Sequence, residues 1–427
     1  MKTIQKILIL LVIALAGFSC MDEYTEEFTA NKPVYLSYED LRTSVKYSDA
    51  RELVNPGKIY FKDDFIFINE EFEGVHIINN ANPEDPQNVG FIDIPGNVDI
   101  AIKNNTLYAD SYVDLVAIDI SDINNPVELN RAEDVFAYTL PPYDENHRVA
   151  DIDEEKGVVT GWEITRVRQE MEYHYYPVYR WGYYEDLAMS DAAMSNGGSA
   201  QGSTYGTGGS MARFGLYDDY LYAVDQVNLN IFEIKTDTQL DNIGKQNVGW
   251  NVETMFIYDD HMFLGTQSGM RVFSLEVATV PSYVSDFWHV TSCDPVVVAD
   301  GYAYVTLRGG TSCGSTVNRL DVLQLSDNYV DNTLVASYPL NGPYGLGIDD
   351  DILFICDGDA GLKVYDVTDK TQIDNHMIAV FPGINTYDVI PVNGFLFMIG
   401  DDGFYLYDYS DLQNIRKIGE IPVFRED

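Results

Sequence analysis

Positive charge is what this chain lacks. Lysine and arginine number 26 against 68 aspartates and glutamates, histidine occurs 6 times, and the formal net charge is −42. So acidic a surface repels phosphate backbones, which removes nucleic acid from the list of partners. Long apolar runs are also missing: the longest, Ile7 to Ala16, is too short to span a bilayer as a helix. Most catalytic signatures are absent as well: there is no HExxH and no glycine-rich phosphate loop, and the histidines are scattered. Cysteine is scarce, at 4 residues, and no histidine is tied to any of them by a recognisable motif. What remains is ample material for a core, with 46% hydrophobic and 13% aromatic residues.

The first residues carry an address. Lys2 and Lys6 precede the apolar run, and Gly17-Phe18-Ser19-Cys20 follows it. Length and flanks are those of a signal peptide over residues 1–19 rather than a membrane helix. The phrase ending at Cys20 resembles the relaxed lipobox of lipoproteins from the Bacteroidota, which implies lipid attachment at Cys20. The acidic stretch Asp22-Glu23-Tyr24-Thr25-Glu26-Glu27 resembles the signal that sends such lipoproteins to the outer face of the outer membrane. Export permits a disulfide among Cys293, Cys313 and Cys356. Cys293 and Cys313 lie at the same end of an expected strand pair and are the candidate bridge, with Cys356 the alternative partner.

One phrase organises the rest. A short apolar strand, an Asp/Asn/Gly turn and a strand rich in Tyr, Phe and Val are followed by an alternating strand that closes on Asp-x-Ser/Thr-Asp. The fullest copy runs from Val98-Asp99-Ile100 through Asn104-Asn105 and Leu107-Tyr108-Ala109-Asp110 to Leu115-Val116-Ala117-Ile118-Asp119-Ile120-Ser121-Asp122. Period-2 alternation predicts strands, and the Asp-rich close predicts a turn. Second strands starting near Phe65, Leu107, Val158, Leu221, Met262, Ala303, Leu353 and Leu396 are 42, 51, 63, 41, 41, 50 and 43 residues apart. Four short strands per unit of about forty residues, each sheet apolar on both faces, predict an all-β propeller.

Eight four-stranded blades is the expected count, with seven blades and an extra hairpin as the alternative, because the third copy is interrupted. Its inner pair is read as Val149 to Ile152 with Val158 to Trp162. Residues 20–54 are expected to be a tether and edge segment, the part from Lys32 to Pro56 adding an edge strand or covering the ring's seam. Residues 55–427 are expected to be the propeller, carrying an insertion at about 168–210. The Leu115-Val116 to Ser121 phrase and its later copies resemble the LVIVD-repeat propeller family of bacteria. So do Cys293-Asp294-Pro295 through Gly309-Gly310 and Gly345-Leu346-Gly347-Ile348 with Phe354 to Gly358. The resemblance implies a propeller and a surface or outer-membrane lipoprotein; it implies no reaction.

The insertion is the place where function is expected. It packs Tyr175, Tyr176, Tyr179, Trp181, Tyr183 and Tyr184 ahead of a Gly/Ser tract from Asn196 to Ser210. These aromatics are candidates for contact with a protein partner or a glycan, or for covering the propeller's own face. Asp357 and Asp359 are the candidate ligands for Ca²⁺, although hard cations need about six converging oxygens, and no other cofactor is expected. Tyr344 to Gly347, Asn97 to Asp99 and Asn385 to Asp388 begin first strands and are expected to face the channel. The reading is a non-catalytic surface binding or scaffold module, partnered by outer-membrane proteins or other surface lipoproteins. An extracellular glycan-binding protein or a propeller enzyme is the alternative.

Overall fold

The computed structural model describes residues 24–171, 207–208, 210, 212–225, 227–288, 295–310 and 316–425. Its local grammar is a repeated hairpin. Asp63, Asn104, Asp218, Asp259, Asp300, Asp350 and Asn393 each open a two-residue turn between a first and a second strand, with φ between 48° and 55°. A left-handed first turn position suits the right-handed twist of an antiparallel pair, and Asp and Asn tolerate it best among side-chain-bearing residues. The acidic pairs that dominate the composition are therefore partly turn chemistry.

Each hairpin heads a four-stranded antiparallel meander, here called blades 1 to 7. The innermost strands are Pro56–Lys62, Ile100–Lys103, Phe214–Tyr217, Val252–Tyr258, Val296–Ala299, Leu346–Asp349 and Thr386–Val392. Third and fourth strands slip register by a bulge in every blade, which strengthens twist away from the axis. Innermost strands of successive blades touch, from blade 1 round to blade 7 and back to blade 1. Buried aromatics such as Phe67, Phe256, Phe263, Tyr304 and Phe397 make up much of the apolar core. The Asp-x-Ser/Thr closing phrase is a side-chain turn, as expected: Asp119, Asp366 and Asp408 accept the backbone N–H of Ser121, Thr368 and Ser410 at 2.8–3.0 Å.

Among the described residues eight sheets are present, matching the eight copies counted, and seven of them close the ring. The third copy makes the eighth. Its Val158–Met171 strand pairs with Tyr24–Leu36 along its length, and Arg148–Val149 adds a short parallel edge, giving a three-stranded sheet. The expected hairpin of Val149 to Ile152 with Val158 to Trp162 does not form. Where a blade has a two-residue turn, this copy has Asp153 capping a 3₁₀ turn, Glu154–Lys156, and that longer connection does not return the strand on itself. The ring therefore has the alternative number of blades. Chain contacts group this sheet in a compact unit of Met1–Leu36 with Leu140–Arg180, and the propeller in Ser37–Thr139 with Trp181–Asp427.

The residues from Ser37 to the first blade join the ring at two places. Lys46–Ser48 extends the outer edge of blade 1 by pairing with Gln87–Asp93. Leu53 bridges Val423, and Phe424 N–H donates to Leu53 O at 2.7 Å, joining blade 1 to blade 7. Outer strands approach closely where a third strand begins with glycine. At Gly361, φ is +83° and an added Cβ would lie 2.0 Å from Phe381 O. Gly361→Val should cost about 2–4 kcal/mol, from an unfavourable φ and a pushed-out outer strand, read as a lower urea midpoint at unchanged m-value.

Candidate functional site

The propeller's axial channel is occupied by the chain itself. Thr207 and Gly208 pair with Phe61 and Tyr60 on the inner edge of blade 1. Ser210, fully buried, donates from its backbone N–H to Asp388 Oδ1 of blade 7 at 3.2 Å. Its hydroxyl accepts Leu346 N–H of blade 6 at 2.7 Å. Ala212 O accepts Met255 N–H of blade 4 at 2.8 Å. Arg213 and Phe214 N–H both donate to Asp99 Oδ2 of blade 2, at 2.5 and 3.1 Å. Within a few residues the segment thus bonds to five of the seven blades. Small side chains allow so close an approach: an added Cβ on Gly345 would fall 2.3 Å from Asp388 Oδ1 and 3.0 Å from Ser210 Oγ.

The segment is held by buried charge. Asp99 is 1% exposed; its Oδ1 accepts Ile100 N–H at 2.8 Å and its Oδ2 lies 3.3 Å from the buried Lys58 Nζ. Asp110 Oδ1 accepts Val98 and Asp99 N–H at 2.7 and 2.9 Å, and its Oδ2 is 3.7 Å from Arg213 Nη2. Burial raises the Asp110 carboxyl, against the pull of Arg213. Asp388 is pushed up to about 8 by burial, opposed by N–H donation from Val389 and Ser210 and by Lys58. Among the described residues its Oδ2 has no hydrogen-bond partner, consistent with a carboxyl that keeps its proton. Glu71 and Glu253, both half-buried, are each pushed up to about 7, again chiefly by burial.

Of the segments expected to face the channel, the structure brings Asp99 and Asp388 together around the threaded residues. Asn97 is instead a buried strut, accepting Asn69 Nδ2 at 2.7 Å and donating to Asp99 O at 2.8 Å. Tyr344 sits edge-on to Tyr387 at 5.1 Å, with the Arg308 guanidinium over its ring at 3.7 Å. Lys58, Glu71 and Glu253 were not singled out by their sequence context. Ser210 ends a tract whose Gly/Ser composition reads as a flexible linker, and that same smallness is the signal that it fits a narrow channel.

Asp357 is held by backbone donors and a lysine. Its Oδ1 accepts Asn341 and Gly342 N–H, both at 2.9 Å, and its Oδ2 is held by the Lys363 ammonium. Glu70 and Asp110 do the same job for the residues leading into blades 1 and 2, so a carboxylate ending a second strand recurs as a cap for entering backbone. Asp359 is exposed, and among the described residues no three His, Cys, Asp or Glu side chains gather as a metal site. Cys356 is a free, buried thiol, and burial pushes it well up. Cys20, Cys293, Cys313 and the aromatic group Tyr175, Tyr176, Tyr179, Trp181, Tyr183 and Tyr184 lie outside the described residues.

No family model matches the chain, and no curated protein matches it. Solved structures do. The chain is similar to a proposed 6-phosphogluconolactonase from Bacteroides uniformis, at 9% identity and a TM-score of 0.51, covering 89% of this chain and 97% of the other. It is also similar to the computationally designed Ika8 protein, at 8% identity and a TM-score of 0.49, covering 93% of each chain. BamB from Moraxella catarrhalis matches at 9% identity and a TM-score of 0.45, covering 81% of this chain and 82% of that one. The fold is a β-propeller. At such identities the likeness reaches no further than the fold.

Proposed function

We propose that this protein is a non-catalytic binding module, exported, lipidated at Cys20 and displayed on the outer membrane as part of a protein complex. The observation that carries the binding-module reading is the filled channel. Propellers offer an axial cavity for a small substrate, and here Thr207, Gly208, Ser210 and Ala212 to Phe214 enter that space and bond to five blades. The carboxylates there, Asp99, Asp110 and Asp388, are each engaged in accepting backbone N–H groups. Faces and rims of a rigid ring then remain as the working surfaces. Lipid anchorage and membership of the LVIVD-repeat propellers rest on the residues quoted for them above.

Metabolic labelling with an alkyne fatty acid, followed by membrane fractionation, tests the anchor. Wild type should carry the label and sediment with outer membranes, and Cys20→Ser should carry none. An unlabelled, soluble wild-type protein would overturn it. Cross-linking on intact cells should join the protein to another outer-membrane protein or surface lipoprotein; a protein that stays uncross-linked counts against the complex.

A further inference from the structure

Blade 4 carries an unusual end. Tryptophan is a large side chain that folding normally covers, yet Trp250 is 73% exposed and Trp288 62%. Both sit where the strands of one blade finish on the face that bears Glu71 and Glu253. The register sets them in a row: Val252 opposes Thr266, Thr266 opposes Gly269, and Gly269 opposes Trp288. Three strand spacings therefore separate Val252 from Trp288, on the order of 14 Å, with Trp250 two residues upstream of Val252.

Between the two rings the surface is polar and fixed. Asn251 Nδ2 donates to Gln267 Oε1 at 2.8 Å, and Gln267 Nε2 donates to Glu253 Oε1 at 2.8 Å. Gln267 N–H donates to Asn251 O at 3.2 Å, and Ser268 N–H to Thr266 Oγ1 at 3.2 Å. Asn251 is exposed, and Gln267 and Ser268 are half-buried. The neighbouring cation is already engaged: Arg271 donates to Val248 O at 2.6 Å and lies 3.4 Å from Asp286. Gly269 keeps the row tight, since an added Cβ would lie 2.1 Å from Phe287 O.

We propose that this end of blade 4 is a binding shelf for a neutral oligosaccharide, with Trp250 and Trp288 as stacking platforms and Asn251, Gln267 and Ser268 between them as hydrogen-bonding groups. Sugar rings present a flat C–H face to an aromatic ring and a belt of hydroxyls to amides, and this row offers both in alternation. The centre of the row is polar, where a protein interface normally concentrates its apolar area, which favours a sugar over a protein partner. An acidic polymer is disfavoured by a chain of formal net charge −42. The inference rests on the binding-module reading and names its ligand class.

Titration of the soluble propeller-bearing chain, lacking residues 1–20, with cellohexaose, xylohexaose, mannohexaose and oligogalacturonate tests it by tryptophan fluorescence and calorimetry. At least one neutral oligosaccharide should bind at about millimolar concentration or below. Trp250→Ala and Trp288→Ala should each weaken it about five- to tenfold, and the pair should abolish it. Both sites are exposed, so circular dichroism and the thermal midpoint should not move. Failure of all three neutral sugars, equal binding by the double variant, or preference for oligogalacturonate would overturn the shelf. So would self-association in the analytical ultracentrifuge that Trp288→Ala removes without any sugar binding. Release of new reducing ends from a bound sugar would leave the shelf standing and overturn the non-catalytic reading instead.

Discussion

Asp99→Ala should lower stability by about 3–5 kcal/mol and free the threaded segment to proteases. One side chain here serves four groups: the N–H donors of Ile100, Arg213 and Phe214 and the ammonium of Lys58. All sit in a region where Asp99 itself is 1% exposed. Removing the carboxylate strands donors that water cannot reach, and takes the counter-charge from a buried lysine. Asp99→Asn keeps one acceptor oxygen and should fall between the two. Urea denaturation reads the stability, and limited proteolysis with mass mapping reads the segment. An Asp99→Ala protein within about 1 kcal/mol of wild type, cleaved no faster between residues 207 and 214, would show that the buried charges do not hold the thread.

The second large effect is on the pH profile, and its sign follows from the raised carboxyls. A group that binds its proton more tightly when folded contributes stability that is full below the unfolded value and is lost as pH rises through the folded one. Asp388, with an ordinary value of 3.8 and a folded value of about 8, makes the protein less stable as pH rises across that window. Between pH 6 and 8 the loss from this one group is about 2 kcal/mol. Glu71 and Glu253, pushed up to about 7, work in the same direction. The general negative charge adds repulsion of the same sign, so a variant is needed to isolate the site. Asp388→Asn has no proton to lose, and its urea midpoint should fall less than that of wild type between pH 6 and 8. Equal slopes in the two proteins would sink the assignment. Glu70 acts oppositely. Burial would raise it, but His76 and the N–H groups of Asn55 and Val54 hold it below its usual value, so its contribution fades as pH falls through that lowered value.

Much of the fold was legible because each blade repeats the same local chemistry. Five Asp/Asn pairs and two Asp/Asn-Gly pairs set seven tight hairpins, alternation marks their strands, and Asp-x-Ser/Thr phrases close several of them. The third copy misled for a reason visible in retrospect. Val158-Val159 has the right alternation, but Asp153-Glu154-Glu155-Lys156 is not a two-residue turn, and alternation alone does not say which strand will be the partner. The candidate site was legible only in part. Asp99 and Asp388 could be placed at the channel from their position at the start of first strands. What they bind there was hidden, because a Gly/Ser tract has no hydrophobic period and reads as linker. Lys58 shows the same limit: a lone lysine at a strand start signals solvent until three-dimensional neighbours supply its carboxylates. The blade 4 tryptophans were hidden differently, since exposure of an aromatic is a property of the finished surface.

The threaded segment also orders the events of folding. Ser210 meets Asp388, a partner 178 residues further along the chain. That bond joins a piece lying between blades 2 and 3 to the last blade made. The segment, laid against Tyr60 and Phe61 of blade 1, is therefore fully held only once blade 7 has formed. It is less a stopper than a tie between the first blade and the last. Closure waits for the bridge of Leu53 to Val423. Such long-range pairing is slow to form because its loop entropy is spent before its contacts repay it. Until that seam shuts, the outer edges of the early blades stand exposed, which makes the interval before closure the time of greatest vulnerability to misassembly.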